Sequence, residues 1–326
     1  MQSRFAQLRG GRPPDVIGFV VTAIDMDSAL GFTIPDRHVR GRIARLGPVL
    51  DAVLAAHAYP PVIERLLAEA LVLTALLGAT LKNEEGQLTL QAQTEHGVID
   101  LLVCDYMAGA VRGYVKFDAD RLAEQGAEPS LFALFGKGYL AITFDQASLD
   151  QDGKPHRYQG IVPLEGESLG KAVEYYFCQS EQIPSFIQIA SRHDAGEGCV
   201  AAGILLQHLP EGEVGRERLH VRHDEPEWEH VRALATTLKA QELTDGALPL
   251  TDIAWRLFHE EREVRVTEPA ELTKGCRCDL AHIHSVIARF PANERAEMAD
   301  ERGNINVDCA FCSKIFPIAL DSFAEA

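Results

Sequence analysis

The sequence predicts an α+β protein that ends in a small, metal-dependent module, and three observations lead there. Short runs in which apolar and polar residues alternate recur between Val39 and Leu206 in hairpin-like succession, with the helical stretches segregated from them. One stretch, Val62–Lys82, is apolar nearly all round and reads as a buried central helix. Finally, two tight cysteine pairs, Cys276-Arg277-Cys278 and Cys309-Ala310-Phe311-Cys312, stand thirty residues apart near the C-terminus.

Residues 1–30 read as an N-terminal extension. Arg4, Arg9 and Arg12 precede the apolar run Val16–Ile24, which Asp15 and Asp25 flank and no small-x-small site follows. A strand is expected there, not a secretory signal, and Met26 offers a shorter start. Val39–Leu46 alternates as a strand, and Leu50, Val53 and Leu54 mark a short helix. Tyr59-Pro60-Pro61 then leads into the central helix, whose first turn leaves N–H groups unbonded and so tolerates proline. Next, Leu88, Leu90 and Ala92 alternate with Gln87, Thr89, Gln91 and Gln93. Val98–Cys104 follows Glu95-His96-Gly97, and Val111, Val115 and Phe117 alternate with Arg112 and Lys116. A helical interlude at Ser130–Phe135 precedes the strands Leu140–Phe144 and Tyr158–Val162, whose polar connection carries the turn signal Asp152-Gly153. Leu169–Cys178 reads as a helix, and Phe186–Ala190 and Val200–Leu206 as the last strands.

Composition shifts after Leu209-Pro210: between Glu211 and His230 stand seven acidic residues, three arginines and three histidines. Trp228, Val231, Ala235 and Leu238 then form one helical stripe, and Ile253, Leu257 and Phe258 another. Neither helix buries its stripe alone, so each must lie against the N-terminal sheet or the C-terminal module. The expected division is an α+β domain at 31–209, a helical linker of marginal stability at 210–270, and a metal-binding domain at 271–326.

The chain has 326 residues, 46% of them hydrophobic, with a net charge of −17 and a pI near 5.1. So acidic a chain is a poor electrostatic match to a phosphate backbone, which argues against nucleic acid as partner. The most hydrophobic run, Leu66–Leu81, is interrupted by Glu69 and falls short of the ~18 residues of a membrane span. Of seven cysteines, Cys104, Cys178 and Cys199 lie among apolar neighbours and read as small buried hydrophobes. The odd count and the thiol cluster favour a reducing compartment, hence the cytoplasm.

Four thiolates match the closed tetrahedral site that Zn2+ prefers, which predicts one metal per reduced chain on Cys276, Cys278, Cys309 and Cys312. His282 and His284 lie between the pairs as rival ligands, but four thiolates already fill the shell, so both read as helix-surface residues. The segment Asp279–Asp308 holds few large apolar side chains. Much of its folding energy is therefore expected from the metal, which contributes about 10–16 kcal/mol in small zinc peptides. The spacing alone also admits an inert structural knot.

One motif points elsewhere. Gly166-Glu167-Ser168-Leu169-Gly170 satisfies the pattern of a hydrolase nucleophile elbow, and Asp194 and His208 follow in the order of a triad. Against a serine hydrolase, Pro163 interrupts the approaching strand and the alternating βα architecture is missing. The alternative role for Ser168 is a helix N-cap.

With these residues in view, the chain resembles the redox-regulated chaperones known as the thirty-three-kilodalton heat-shock proteins. The resemblance runs from about Gly31 onward. It rests on the cysteine spacing, on Arg157–Gly166, on Tyr176-Phe177 with Gln179–Pro184, and on Glu242-Leu243 with Trp255–Glu261. It implies a holdase, not an enzyme, with no catalytic residue and no ATP requirement. Such proteins are poor chaperones while reduced and zinc-bound. The resemblance further implies that oxidants such as hypochlorite or peroxide form Cys276–Cys278 and Cys309–Cys312 disulfides, that the metal is lost, and that the linker unfolds. Stripes docked on the module would then be exposed to unfolding clients. It also implies dimerisation of the oxidised form.

Overall fold

The computed structural model describes residues 6–8, 26–81, 85–95, 97–149, 155–194, 198–209 and 226–323. The expected strand Val16–Ile24, the turn Asp152-Gly153 and the charged residues 211–225 lie outside them. In chain order come β1 (Ala6–Leu8), β2 (Ser28–Ile34), β3 (Val39–Leu46), α1 (Pro48–Leu54) and α2 (Pro61–Gly78). β4 (Gln87–Glu95), β5 (Ile99–Met107), β6 (Ala110–Phe117), α3 (Ala119–Ala123) and α4 (Leu131–Phe135) follow. After β7 (Lys137–Leu149), β8 (Pro155–Pro163), α5 (Leu169–Gln179), β9 (Ser185–Asp194) and β10 (Gly198–His208), the chain turns helical. It continues through α6 (Pro226–Ala235), α7 (Ala240–Thr244) and α8 (Leu250–Phe258) to β11 (Val264–Val266), β12 (Ala270–Glu271) and β13 (Thr273–Lys274). The last elements are α9 (Leu280–Ile287), α10 (Ala292–Met298), β14 (Asn304–Asp308) and β15 (Ile315–Ala319).

Two sheets enclose α2. The first has the order β1-β11-β2-β3-β10-β9, with β12 also pairing β2; the second runs β13-β6-β5-β4-β7-β8. Strand alternation divides each sheet into two faces. Ala29, Ala44, Leu46, Ala201 and Leu205 of the first sheet and Leu88, Leu90, Leu102, Val111, Leu140 and Ile142 of the second point inward and pack on α2 as one core. The helix is apolar all round because it has a sheet on either side. It ends at Gly78, short of the expected Lys82. There Tyr106 lies so close that a Cβ on Gly78 would stand 2.2 Å from its ring, while Thr80 Oγ1 and Arg42 Nε take up the carbonyls of Leu77 and Ala79.

The opposite face of the first sheet is covered by the linker. Leu30, Phe32, Ile34, Ile43, Ile204 and Leu206 form a second cluster with Trp228, Val231, Ala235 and Leu238 and with Ile253, Leu257 and Phe258. Both stripes therefore lie on the N-terminal sheet, and the last residue of their cluster is Val266. The expectation that they dock on the metal module is corrected: the sheet offers them a continuous apolar face, whereas α9 and α10 have no buried residue. Polar anchors complete the contact. Arg45, fully buried, donates to the Leu243 and Leu248 carbonyls at 2.9 Å each. Buried Glu261 accepts from Arg37 at 2.9 Å and meets His230 Nε2 at 2.8 Å.

From the linker a strap crosses the molecule. β11 and β12 pair with β2, Leu272 is buried in the central core, and β13 joins β6 in parallel. Gly109 (φ 82°) gives way to the strap, since a Cβ there would lie 2.7 Å from the Glu271 carbonyl. The C-terminal module begins where this strap ends. It has a small core of its own, with Ile305, Phe316 and Ile318 buried, built on the β14–β15 hairpin. No described helix is long and apolar enough to cross a membrane.

Candidate metal centre

Cys276 and Cys278 follow directly on β13, where Gly275 N–H still donates to Val111 O at 2.9 Å. Cys309 and Cys312 sit in the turn between β14 and β15. That turn is closed by Ser313 N–H on Cys309 O at 2.7 Å and by Cys309 N–H on Lys314 O at 3.0 Å, with Ser313 left-handed at φ 55°. The four sulfurs lie within 4.8 Å of one another, the one such group of His, Cys, Asp or Glu among the described residues. Cys276 Sγ is 2.9 Å from Cys278 Sγ and 3.6 Å from Cys309 Sγ, and Cys278 Sγ is 3.6 Å from Cys312 Sγ.

A tetrahedron of sulfurs about 2.3 Å from a zinc ion has edges of about 3.8 Å, so this donor set fits a single metal of that kind. All four are free thiols. Burial works against the Cys309 thiolate, but donation from Cys278 and from the N–H groups of Phe311 and Cys312 prevails and brings its thiol down to about 7. Burial and the neighbouring thiols instead push Cys278 well up. Sulfur donors clustered around one low-pKa thiol are the chemistry of soft-metal ligation and of oxidation.

The rival ligands stand apart from this cluster. His284 lies on α9, stacked 4.2 Å from Phe323 and bonded to Ser322 Oγ at 3.2 Å, and His282 is exposed on the same helix. Of the other cysteines, Cys104 and Cys199 are buried as expected, while Cys178, one residue from the end of α5, is only half-buried.

The hydrolase alternative does not assemble. Ser168 caps α5, accepting from Lys171 N–H at 3.2 Å, and it stands on the inner, α2 side, where neighbouring Leu169 enters the central core. His208 follows Ile204 and Leu206 onto the outer face of the first sheet and stacks on Trp228, with ring centroids 6.0 Å apart. Asp194 closes β9. The sheet itself lies between serine and histidine, and the glycines flanking Ser168 are turn and packing residues.

Sequence reasoning passed over the residues that seat the module. Arg277 donates to Gln87 Oε1 at 2.7 Å and to Asp105 Oδ2 at 3.2 Å. Phe311 meets Tyr114 edge-on at 4.9 Å, and the Arg112 guanidinium lies 3.9 Å over its ring. Ser313 Oγ is 3.2 Å from His57 Nδ1. Their one signal in the sequence is that Asp105, Arg112 and Tyr114 occupy the outward positions of alternating strands.

Comparison with known proteins agrees with this architecture. Residues 27–319 match the family described as Hsp33 protein. The "33 kDa chaperonin" of Caulobacter vibrioides (strain NA1000 / CB15N) is 38% identical over 304 residues, covering 91% of this chain and 96% of the relative. That of Yersinia pestis (strain Pestoides F) is 36% identical over 274 residues, covering 84% and 86%. In fold, the chain is similar to the crystal structure of the 33 kDa chaperonin from Thermotoga maritima, with TM-score 0.73 and 24% identity, covering 92% of this chain and 97% of that one. A family match over nearly the whole described chain, relatives above one-third identity and a shared fold lead to one assignment: this chain belongs to the Hsp33 family, which is a family of chaperones and not of enzymes.

Proposed function

We propose that this chain is a redox-regulated, ATP-independent holdase. It is inactive while Cys276, Cys278, Cys309 and Cys312 are reduced and share one Zn2+, and active once they are oxidised. The observation that carries the reading is four converging thiols on a module whose buried residues, from Cys276 onward among those described, are Ile305, Phe316 and Ile318. Bound zinc supplies the folding energy that so small a core lacks, on the order of 10–16 kcal/mol in comparable peptides.

The residues' own chemistry makes this a switch. Two thiols and one hydrogen peroxide give one disulfide and two waters. One thiolate attacks a peroxide oxygen, forming a sulfenic acid and releasing the first water, and its partner thiol displaces the second. The proposed pairs are Cys276–Cys278 and Cys309–Cys312, which close the shortest loops. A sulfur held in a disulfide no longer serves as a thiolate donor, so the module loses what holds it together. Its melting frees β13 and Leu272, the strap loosens, and α6–α8 leave the first sheet. The apolar face around Leu30, Phe32, Ile43 and Ile204 then meets unfolding clients, as a holdase surface must. On this reading residues 31–209 bind substrate, 210–270 are the metastable linker and 271–326 the switch. The oxidised form dimerises, and the protein works in the cytoplasm.

Serine substitution tests the ligand set. Each of Cys276→Ser, Cys278→Ser, Cys309→Ser and Cys312→Ser is expected to lose zinc, while His282→Ala and His284→Ala keep it. A histidine variant that releases the metal would overturn the assignment.

A further inference from the structure

Each cysteine pair encloses residues that are not ligands, and one from each pair reaches the same place on the second sheet. Between Cys276 and Cys278, Arg277 turns away from the sulfurs and bonds to Asp105 and Gln87. Between Cys309 and Cys312, Phe311 inserts between the Arg112 guanidinium and the Tyr114 ring. The two receiving groups are themselves joined, because Arg112 donates to Asp105 Oδ2 through Nε at 2.8 Å and Nη2 at 2.6 Å. Asp105 is 4% exposed and its other oxygen accepts from Thr89 Oγ1 at 2.8 Å. One oxygen of a buried carboxylate thus accepts from both guanidiniums, and that of Arg112 carries the aromatic plug.

We propose that Asp105, Arg112 and Tyr114 form a docking site that senses both cysteine pairs at once: Arg277 and Phe311 fit it together only while the pairs hold their reduced geometry. The inference rests on the redox reading above and adds the residues that couple the switch to the sheet. Burial is what makes the site discriminating. A carboxylate this enclosed is served by few groups, and Arg277 is the one of its two guanidiniums that the Cys276–Cys278 pair positions. A cation over an aromatic face likewise depends on position. When Cys276 and Cys278 give up two electrons and two protons to a peroxide, which becomes two waters, the new bond closes a small ring through the Arg277 backbone. That ring redirects the side chain. The corresponding ring around Ala310-Phe311 withdraws the plug. Either event unseats the module at the edge where β13 meets β6, and so loosens the strap from its C-terminal end.

Exchange of the Thr273 and Gly275 amides, which donate to Gly109 O and Val111 O, reports this seating directly in the reduced, zinc-loaded full chain. Arg277→Ala and Phe311→Ala are each expected to speed that exchange at least about tenfold, the change that ~1.4 kcal/mol produces. They are expected to keep one zinc and four reduced thiols, and to lower the peroxide concentration that half-activates the chaperone. Phe290→Ala, an exposed residue of the same module, is expected to exchange like wild type. Adding Asp105→Asn to Arg277→Ala is expected to cost less than the sum of the two. Wild-type exchange in both Arg277→Ala and Phe311→Ala would overturn the proposal, whether or not an Asp105 variant folds. The redox reading fails separately, if wild-type protein gains no activity on oxidation, because amide exchange in the reduced state does not depend on activity.

Discussion

Replacing Phe258 by alanine perturbs the linker at a fully buried point. The residue closes α8, is fully buried, and sets its ring 5.7 Å from that of Phe32 on the first sheet. Truncating a buried phenylalanine costs about 3–5 kcal/mol, through lost transfer energy and the cavity left behind. The outer cluster that contains Phe258 is distinct from the core around α2, so the loss falls on undocking of α6–α8 and not on unfolding of the whole chain. At ~1.36 kcal/mol per decade, the undocked population rises by about a hundredfold to several thousandfold. Hydrogen exchange of the α6 and α8 amides measures that rise, with α2 amides as internal reference. Suppression of client aggregation under reducing conditions measures its consequence, with zinc and thiols counted in the same sample. The variant is expected to act without oxidant while still holding zinc and four thiols. A graded partner, Ile253→Val, removes one methyl group and is expected to move both readouts by about tenfold or less, from a cost of about 0.5–1.5 kcal/mol. Faster linker exchange without activity in reducing buffer would refute the idea that the docked linker is the restraint. Equal acceleration in α2 would show that the two clusters do not act independently.

Other expectations follow from single residues. Ser168→Ala removes the α5 cap and is expected to cost about 0.5–2 kcal/mol in thermal or denaturant unfolding, with oxidative activation unchanged and no serine-probe labelling in the parent. Glu69 is a carboxyl raised above its ordinary 4.5 by burial, against donors from Gly170, Ser168 and Leu169. The folded chain therefore keeps this proton where the unfolded chain has lost it. The stability it contributes is full below 4.5 and is lost as pH rises through the folded value. Glu69→Gln is accordingly expected to raise Tm at neutral pH, with a gain that shrinks toward acid pH; a gain independent of pH would contradict it.

The parts of the molecule legible in its sequence are those whose chemistry is local. Val39–Leu46 is bounded in the structure as its alternation indicates, and both linker stripes lie on one face of their helices because 3.6-residue spacing forces it. The four cysteines could be named together because so few residue types make a closed thiolate site. β2 was hidden since six of its seven residues are buried, which removes the period-two signal. The strap's short strands take their identity from partners far away in the chain, Ala270 opposite Ala29 and Thr273 opposite Ala110. Charged residues carry the least local signal of where they lie. Arg45 sits in a strand as a surface arginine would, yet it is fully buried under the linker. Arg277 and Asp105 meet across 172 positions, and nothing in either neighbourhood specifies the other.

The central claim is that, in the wild-type chain, oxidation of the four thiols is the event that undocks the linker and turns the chaperone on. Stepwise addition of peroxide to the reduced, zinc-loaded chain tests it, with free thiols, released zinc and aggregation suppression followed in one sample. The account predicts that four thiols disappear as one zinc per chain is released, and that holdase activity rises along the same curve. Full activity of the wild-type chain with zinc still bound and all four thiols reduced, or complete zinc release with no activity, would contradict it.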